Sequence, residues 1–207
     1  INELGPDFAE YRRHWDAADR FEFVPDYPLE LGFDIMMACN LKCVGCHFAE
    51  DAPENSYLQE KTVFPLDLFE KIVTEGVARG LKSVYFGFMT EPTINKKYLE
   101  YVKIAKNAGI LDVWFGTHGG VMSKEAVETL VDLEITRFVI SVDAATKETY
   151  DKVRIGGDFN RLIENIEHLV AYKKRKNVKI ETEAIVTGLI FENKKCIGVK
   201  FNKDGSE

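Results

Sequence analysis

The sequence lacks both a long apolar run and an excess of positive charge. No stretch approaches the roughly 18 apolar residues that a membrane-spanning helix needs, and no signal peptide is recognisable at the start. Asp and Glu number 34 against 27 Lys and Arg, so the formal net charge is -7, and the chain as a whole does not attract polyanions. We therefore expect a cytoplasmic protein that engages neither a membrane nor nucleic acid.

Cysteine is also scarce, and its distribution is uneven. Of the four cysteines, Cys39, Cys43 and Cys46 fall within eight residues in the stretch CNLKCVGC, while Cys196 is distant. In the cytoplasm, closely spaced thiols hold metal more often than they form disulfides. This spacing lets one loop place three thiolates around a single centre, and thiolates are soft ligands suited to iron–sulfur clusters and zinc.

The cysteine spacing alone leaves several interpretations open. A closed structural zinc site needs four protein ligands, so its fourth ligand would have to be His47 or Cys196. An iron–sulfur cluster held by three cysteines would instead keep one iron without a protein ligand. Metal-free thiols in a packed core are a third interpretation, but the neighbouring Lys42 and Gly45 indicate a loop.

The rest of the chain alternates short apolar runs with amphipathic segments. Such a chain favours parallel βα units and an α/β fold. Ser123 and Asp158 are placed to cap two of the predicted helices. The strands are predicted at about residues 29–36, 83–88, 112–115, 137–142 and 180–186.

Three segments follow from this pattern. Residues 1–28 are predicted to be a lead-in with a short helix and an extended part. Residues 29–186 form the βα core. Residues 187–207 are predicted to be a β-hairpin, either at the edge of the domain or at the start of a module that is cut off.

The pattern also predicts where a site lies. Ligands collect at the carboxyl ends of parallel strands, whether the sheet is open or closed into a barrel. Cys39, Glu91, His118 and Asp143 follow four successive predicted strands. We therefore expect these four residues at one edge of the sheet.

The loop CNLKCVGC resembles the cluster-binding signature of the radical S-adenosylmethionine (radical SAM) superfamily, which also follows the first strand. Residues 90–92 (TEP) resemble the family's Gly-Gly-Glu-Pro segment, and residues 117–119 (THG) resemble its Thr-Asn-Gly segment. Residues 140–154 look like the stretch after the fourth strand in the branch that often carries a SPASM extension. The resemblance covers about residues 29–186.

The resemblance implies a fold, a cofactor set and a reaction. The fold would be a partial (β/α)6 TIM-like barrel. Cys39, Cys43 and Cys46 would bind three irons of a 4Fe–4S cluster, and S-adenosylmethionine (SAM) would chelate the fourth through its amino and carboxylate groups. One-electron reduction would then cleave SAM to a 5′-deoxyadenosyl radical that abstracts hydrogen from a substrate, while the barrel orients the reactants.

By the same resemblance, further residues are expected near SAM, each with a structural alternative. Glu91 lies near the cofactor amino group or caps a helix. Ser141 donates to the ribose or carboxylate or packs in its strand, and Arg154 binds a carboxylate or forms a surface salt bridge. His118 contacts the ligand, transfers a proton or is a satisfied structural histidine. The full set is Thr90, Glu91, Thr117, His118, Ser141, Asp143 and Arg154.

The sequence also departs from the family pattern. Gly45 stands where an aromatic residue usually precedes the third cysteine, Met89 and Thr90 replace the double glycine, and His118 replaces an asparagine. No seven-cysteine SPASM pattern follows Val186.

The expected partners are a peptide or small-molecule substrate, such as a sugar, and an electron donor such as flavodoxin or ferredoxin. Two alternatives lack SAM chemistry. One is a zinc-stabilised scaffold domain, and the other is an electron-transfer protein that has the cluster but no cofactor pocket.

Overall fold

The computed structural model of the protein describes residues 4–46, 48 and 62–175, together with the backbone of residues 185–192 and 195–202. The chain forms two compact units, Ile1–Leu169 and Val170–Glu207. Within these described residues, none of the helices combines the length and the apolar character that crossing a bilayer requires.

The first unit is built on a parallel sheet of four strands in the order β1-β2-β3-β4. The strands are β1 (Glu30–Phe33), β2 (Ser83–Phe86), β3 (Asp112–Thr117) and β4 (Arg137–Ile140). The helices are α1 (Pro6–Asp19), α2 (Leu66–Ala78), α3 (Tyr98–Asn107), α4 (Lys124–Asp132), α5 (Lys147–Val153) and α6 (Phe159–Arg175), of which residues 170–175 belong to the second unit. A short 3₁₀ helix, Pro92–Ile94, follows β2.

A row of aromatic side chains fixes the register of the sheet. One phenylalanine from each strand occupies the same level, because Phe33 pairs with Phe86, Phe86 with Phe115, and Phe115 with Phe138. Phe69 of α2 lies over this row, with its ring centroid 4.8 Å from that of Phe33 and 5.8 Å from that of Phe86. The aligned strands therefore finish at one edge of the sheet, where the loops that carry polar residues meet.

Gly87 brings the ends of β2 and β3 together. Its φ is +86°, and a Cβ at this position would lie 2.2 Å from the carbonyl oxygen of Gly116 and 2.8 Å from Pro92 Cδ. Only glycine accommodates both the conformation and the contact. The segment after β2 can therefore turn directly against the end of β3.

Most of the predicted elements of the first unit are present. Residues 6–19 of the lead-in form α1, and the first four predicted strands and the helices between them are confirmed within a few residues. Both predicted caps are also confirmed. The Ser123 hydroxyl accepts a hydrogen bond from the Ala126 N–H at 3.2 Å, and Asp158 Oδ1 accepts one from the Arg161 N–H at 3.1 Å.

Two elements differ from the sequence prediction. Helix α5 was not predicted, although Thr146 caps it by accepting a hydrogen bond from the Thr149 N–H at 3.3 Å. Of the predicted fifth strand, residues 180–184 lie outside the described residues. Its last two residues, Ile185 and Val186, begin an antiparallel strand instead.

The second unit contains the predicted hairpin. Strands β5 (Ile185–Glu192) and β6 (Lys195–Asn202) pair antiparallel. The predicted segment boundaries at residues 28 and 186 stay predictions.

We expect Phe69→Ala to destabilise the first unit by about 3–5 kcal/mol, because it removes a fully buried ring and leaves a cavity. Leu68→Ala is the matched control, since Leu68 is 43% exposed on the same helix and its truncation should change stability by less than about 0.5 kcal/mol. Urea unfolding followed by circular dichroism measures both. Equal losses for the two variants would contradict this account of the core.

Candidate metal centre

The loop of residues 39–46, called here the cysteine loop, follows β1 and is held on both sides of Cys39. The carbonyl of Ala38 accepts a hydrogen bond from the Glu91 N–H at 3.1 Å. Asn40 Oδ1 lies 2.9 Å from His118 Nε2. The Leu41 N–H points at Cys39 Sγ, 3.5 Å away. Groups from the ends of β2 and β3 therefore fix the backbone around the first cysteine.

A different segment holds Cys43. The N–H groups of Lys42 and Val44 donate to the carbonyls of Ile155 and Val153, both at 2.9 Å. Arg154, between these two residues, places Nη1 3.5 Å from Cys43 Sγ. The second cysteine is thus attached to the end of α5.

Cys46 is positioned by a tight turn. Its N–H donates to the carbonyl of Cys43 at 3.1 Å, and Gly45 within the turn has a φ of +75°. Residues with a Cβ seldom adopt this conformation. Glycine at position 45 therefore suits this turn.

The donor set suits a cluster with thiolate ligands. Burial raises the pKa of the Cys39 thiol, and the negative charges of Glu91, Cys43 and Cys46 raise it further. The Cys39 side chain is nonetheless exposed, whereas Cys43 and Cys46 are partly buried. Within the described part of the chain, no three Cys, His, Asp or Glu side chains are already drawn together as a metal site. Three soft ligands on one anchored loop fit an iron–sulfur cluster.

Glu91 is the centre of a buried hydrogen-bond network. Its side chain is 3% exposed, and Oε1 accepts hydrogen bonds from the Thr93 N–H at 3.1 Å, from the Thr93 hydroxyl, and from the Thr117 hydroxyl at 2.7 Å. Oε2 accepts from the His118 N–H at 2.8 Å. Glu91 also caps the 3₁₀ helix, so its structural alternative is present, although the helix differs from the one expected.

His118 connects this network to the cysteine loop. Its Nδ1 accepts a hydrogen bond from the Gly120 N–H at 3.1 Å, so the proton of the neutral ring is on Nε2, which donates to Asn40 Oδ1. Nε2 also lies 3.5 Å from Glu91 Oε2. Burial lowers the pKa of His118; Glu91 opposes this effect and Arg154 adds to it. Burial therefore favours the neutral ring.

Thr90 is tied to Asp34, a residue that the sequence analysis did not select. Asp34 Oδ1 accepts hydrogen bonds from the N–H groups of Met89 and Thr90, both at 3.0 Å, and from the Thr90 hydroxyl at 2.8 Å. Asp34 follows β1 directly. It therefore fixes the turn that takes the place of the family's double glycine.

Arg154 joins Asp143 to the cysteine loop. Its Nη2 lies 2.5 Å from Asp143 Oδ2; the arginine side chain is 15% exposed and the Asp143 side chain 48% exposed, so a largely buried cation is paired with an exposed carboxylate. Burial disfavours the charged guanidinium, but the contacts with Cys43 and Asp143 outweigh that effect and raise the pKa of Arg154. Arg154 Nε is buried and has no hydrogen-bond partner among the described residues.

Ser141 lies beside Thr117. The Ser141 N–H donates to the Thr117 carbonyl at 2.9 Å, and the residue is partly exposed. The structure thus gathers the sequence-predicted residues around the cysteine loop in three connected groups. These are Glu91 with Thr117, His118 and Ser141; Thr90 with Asp34; and Arg154 with Asp143.

Sequence reasoning missed three polar residues of this region: Asp34, Asn40 and Thr93. Asp34 falls within the strand predicted at residues 29–36, and Asn40 falls within the stretch CNLKCVGC. The one available signal was their position at the carboxyl end of a strand. Their partners are distant in sequence, so no local pattern identifies them.

Comparison with known families agrees with this site. A sequence model of the radical SAM superfamily matches residues 34–198, which is most of the chain. The chain therefore belongs to the radical SAM superfamily. This family uses a 4Fe–4S cluster and SAM.

Curated relatives include proteins with different named activities. GTP 3′,8-cyclase of Alkaliphilus oremlandii is 29% identical over 133 residues, which cover 64% of this chain and 40% of that protein. Mycofactocin maturase MftC of Mycobacterium tuberculosis is 30% identical over 156 residues, covering 74% of this chain and 37% of that protein. The chain thus spans roughly two fifths of the length of these relatives.

Solved structures show the same fold. The structure of anSMEcpe with bound AdoMet matches with a TM-score of 0.58 and 19% identity over 70% of this chain and 42% of that chain. SuiB of Streptococcus suis, bound to the precursor peptide SuiA, matches with a TM-score of 0.54 and 20% identity. This match covers 81% of the present chain and 41% of the SuiB chain. The four-stranded parallel sheet is accordingly part of the partial TIM-like barrel of radical SAM proteins, as predicted.

We expect Glu91→Gln to destabilise the protein by about 2 kcal/mol or more, because an amide nitrogen would face buried N–H or O–H donors in place of one carboxylate oxygen. Glu100→Gln on the exposed side of α3 is the matched control. Urea unfolding of the metal-free protein measures both. A Glu91→Gln variant as stable as the control would show that the network does not hold the strand ends.

Proposed function

We propose that the protein holds a 4Fe–4S cluster through Cys39, Cys43 and Cys46 and uses bound SAM to abstract hydrogen from an organic substrate. The observation that carries this proposal is the anchoring of the cysteine loop. Cys39 is fixed from the ends of β2 and β3, and Cys43 from the segment after α5. A rigid loop with three soft ligands is what a cluster with one open iron requires.

The three-ligand arrangement favours a reactive cluster over a closed zinc site. A closed zinc site needs a fourth protein ligand. The two candidates for that ligand, His47 and the side chain of Cys196, lie outside the described residues. Among the described residues, His118 reaches the cysteine loop, but both of its ring nitrogens are already hydrogen-bonded within the protein. The open iron would be free to bind the amino and carboxylate groups of SAM.

The bound cofactors supply the radical chemistry, by reductive cleavage of SAM to a 5′-deoxyadenosyl radical. The chain's own residues bind and orient these cofactors. Because the Glu91 carboxylate is occupied by Thr93, Thr117 and His118, we assign contact with the cofactor amino group to the backbone of residues 89–91. Asp34 holds that turn in place.

Arg154 is suited to the cofactor carboxylate. Its guanidinium lies beside Cys43, and its buried Nε lacks an acceptor among the described residues. A carboxylate ligand would supply that acceptor and a charge-assisted hydrogen bond. Asp143 would orient the guanidinium, and Ser141, partly exposed beside Thr117, would be available to the ribose or carboxylate.

We propose a peptide or a small molecule as the substrate class. Relatives are named for each kind, since mycofactocin maturase and the SuiB complex with a precursor peptide stand beside GTP 3′,8-cyclase. An electron donor such as flavodoxin or ferredoxin would approach the exposed side of the loop, where Cys39 is exposed and Val44 is 66% exposed. Such a cluster fits a reducing compartment, so we propose the cytoplasm.

Anaerobic reconstitution with iron and sulfide tests the ligand assignment. We expect Cys39→Ala, Cys43→Ala and Cys46→Ala each to lose most of the bound iron, since a three-cysteine site has no spare ligand. Cys196→Ala is the matched control and should keep the wild-type iron content. Iron and sulfide analysis, with a 5′-deoxyadenosine assay under strong reductant, provides the measurement.

Two results would redirect the proposal. Stoichiometric zinc with no iron uptake would indicate the scaffold function. A full cluster that never yields 5′-deoxyadenosine would indicate electron transfer.

The hydrogen bonds by which Asp34 holds the turn at residues 89–91 have their own test. We expect Asp34→Ala to weaken SAM binding about tenfold, because losing the acceptor for three hydrogen bonds frees the turn at residues 89–91. Asp26→Ala, at an exposed position, is the control. Equilibrium binding to the reconstituted protein measures the effect, and unchanged affinity in Asp34→Ala would refute the role of the turn.

A further inference from the structure

His118 reaches from the end of β3 to the residue that follows the first cysteine. The residue is 5% exposed, and the Gly120 N–H at Nδ1 sets the ring orientation. Nε2–H then points at Asn40 Oδ1, 2.9 Å away. Asn40 itself is exposed. A buried, oriented donor thus holds an exposed loop side chain.

The same assembly holds the other side of Cys39. Glu91 donates its N–H to the Ala38 carbonyl at 3.1 Å, and its carboxylate accepts the His118 N–H at 2.8 Å. Glu91 is therefore hydrogen-bonded to residue 38 and His118 to residue 40, and Glu91 and His118 are hydrogen-bonded to each other. Cys39 is left with little freedom beyond the rotation of its own side chain.

We propose that His118 and Asn40 form a clamp that orients Cys39 as a cluster ligand, an inference that rests on the function proposed above. His118 is a positioning residue here. Both of its ring nitrogens have protein partners, so it reaches the cluster only through Asn40 and the backbone of Cys39. Groups just outside the ligand shell commonly affect metal affinity in this way.

Two substitutions of His118 each keep one of its side-chain contacts, with Gly120 or with Asn40, and remove the other. Asparagine, the family residue at this position, places an oxygen near the position of Nδ1 and can accept the Gly120 N–H, but it ends short of Asn40. Glutamine places an amide nitrogen near the position of Nε2 and can still donate to Asn40. His118→Asn should therefore release the clamp, and His118→Gln should retain it.

Asn40→Ala removes the acceptor of the clamp's hydrogen bond, whereas His118→Asn removes its donor. Because Asn40 is exposed on a loop, this substitution should leave the fold intact even where a buried His118 variant is destabilised. The double variant Asn40→Ala/His118→Asn tests whether the two residues act together. His168→Asn is the matched histidine control, since His168 lies on α6 and contacts Glu128 Oε1 of α4 at 3.0 Å.

The experiment measures the rate of iron loss to a chelator and the electron paramagnetic resonance spectrum of the reduced cluster, after circular dichroism confirms folding. We expect His118→Asn and Asn40→Ala each to lose iron about tenfold faster than wild type and to shift the spectrum. The double variant should be no worse than either single variant. His118→Gln and His168→Asn should resemble wild type.

The outcomes distinguish this inference from the proposed function. A wild-type protein that takes up no cluster would overturn both. A wild type that holds the cluster, with Asn40→Ala and His118→Asn indistinguishable from it, would overturn the clamp alone. Additive effects in the double variant, or a His118→Gln variant as impaired as His118→Asn, would also overturn it.

Discussion

The burial of the Glu91 carboxylate is the constraint on which the rest of the site depends. A carboxylate that is 3% exposed persists only when its oxygens have hydrogen-bond partners. Here the partners are Thr93 after β2 and Thr117 and His118 at the end of β3. Burying this group therefore requires the ends of two strands to meet. The backbone of the same residue holds Ala38, so the cysteine loop is positioned by the interaction that satisfies the carboxylate.

The parallel sheet makes this meeting possible. One phenylalanine per strand lies at a common level, with Phe69 of α2 packed on those of β1 and β2, and this register places the carboxyl ends of β1 to β4 together. The loop is then supported from two directions, by Glu91 and His118 near Cys39 and by the segment after α5 near Cys43. A loop held at two points can present soft ligands in a fixed arrangement, which a cluster with an open iron needs. The packing of the core therefore determines, through backbone hydrogen bonds, where the cysteine loop lies.

Much of this arrangement can be predicted from sequence, because it is encoded locally. The alternation of Leu31, Phe33 and Ile35 indicates β1, and the cysteine spacing indicates a metal loop. What could not be predicted depends on distant partners. Asp34 meets Met89 across 55 positions, and Asn40 meets His118 across 78. Helix α5 has one buried residue, Tyr150, so its seven residues carry no amphipathic pattern. Glu91 was expected near the cofactor, but its carboxylate is used within the protein, and only the three-dimensional structure shows this.

In the proposed function, three thiolates on an anchored loop leave one iron open to SAM. Electron–nuclear double resonance on the reduced cluster, with SAM isotopically labelled at its amino nitrogen, tests it most directly. The account predicts a hyperfine coupling to the labelled nitrogen, because that nitrogen would bind the iron that the protein leaves free. A reduced cluster whose spectrum is unchanged by SAM, with no coupling to the label, would show that the fourth iron is closed and would contradict the account.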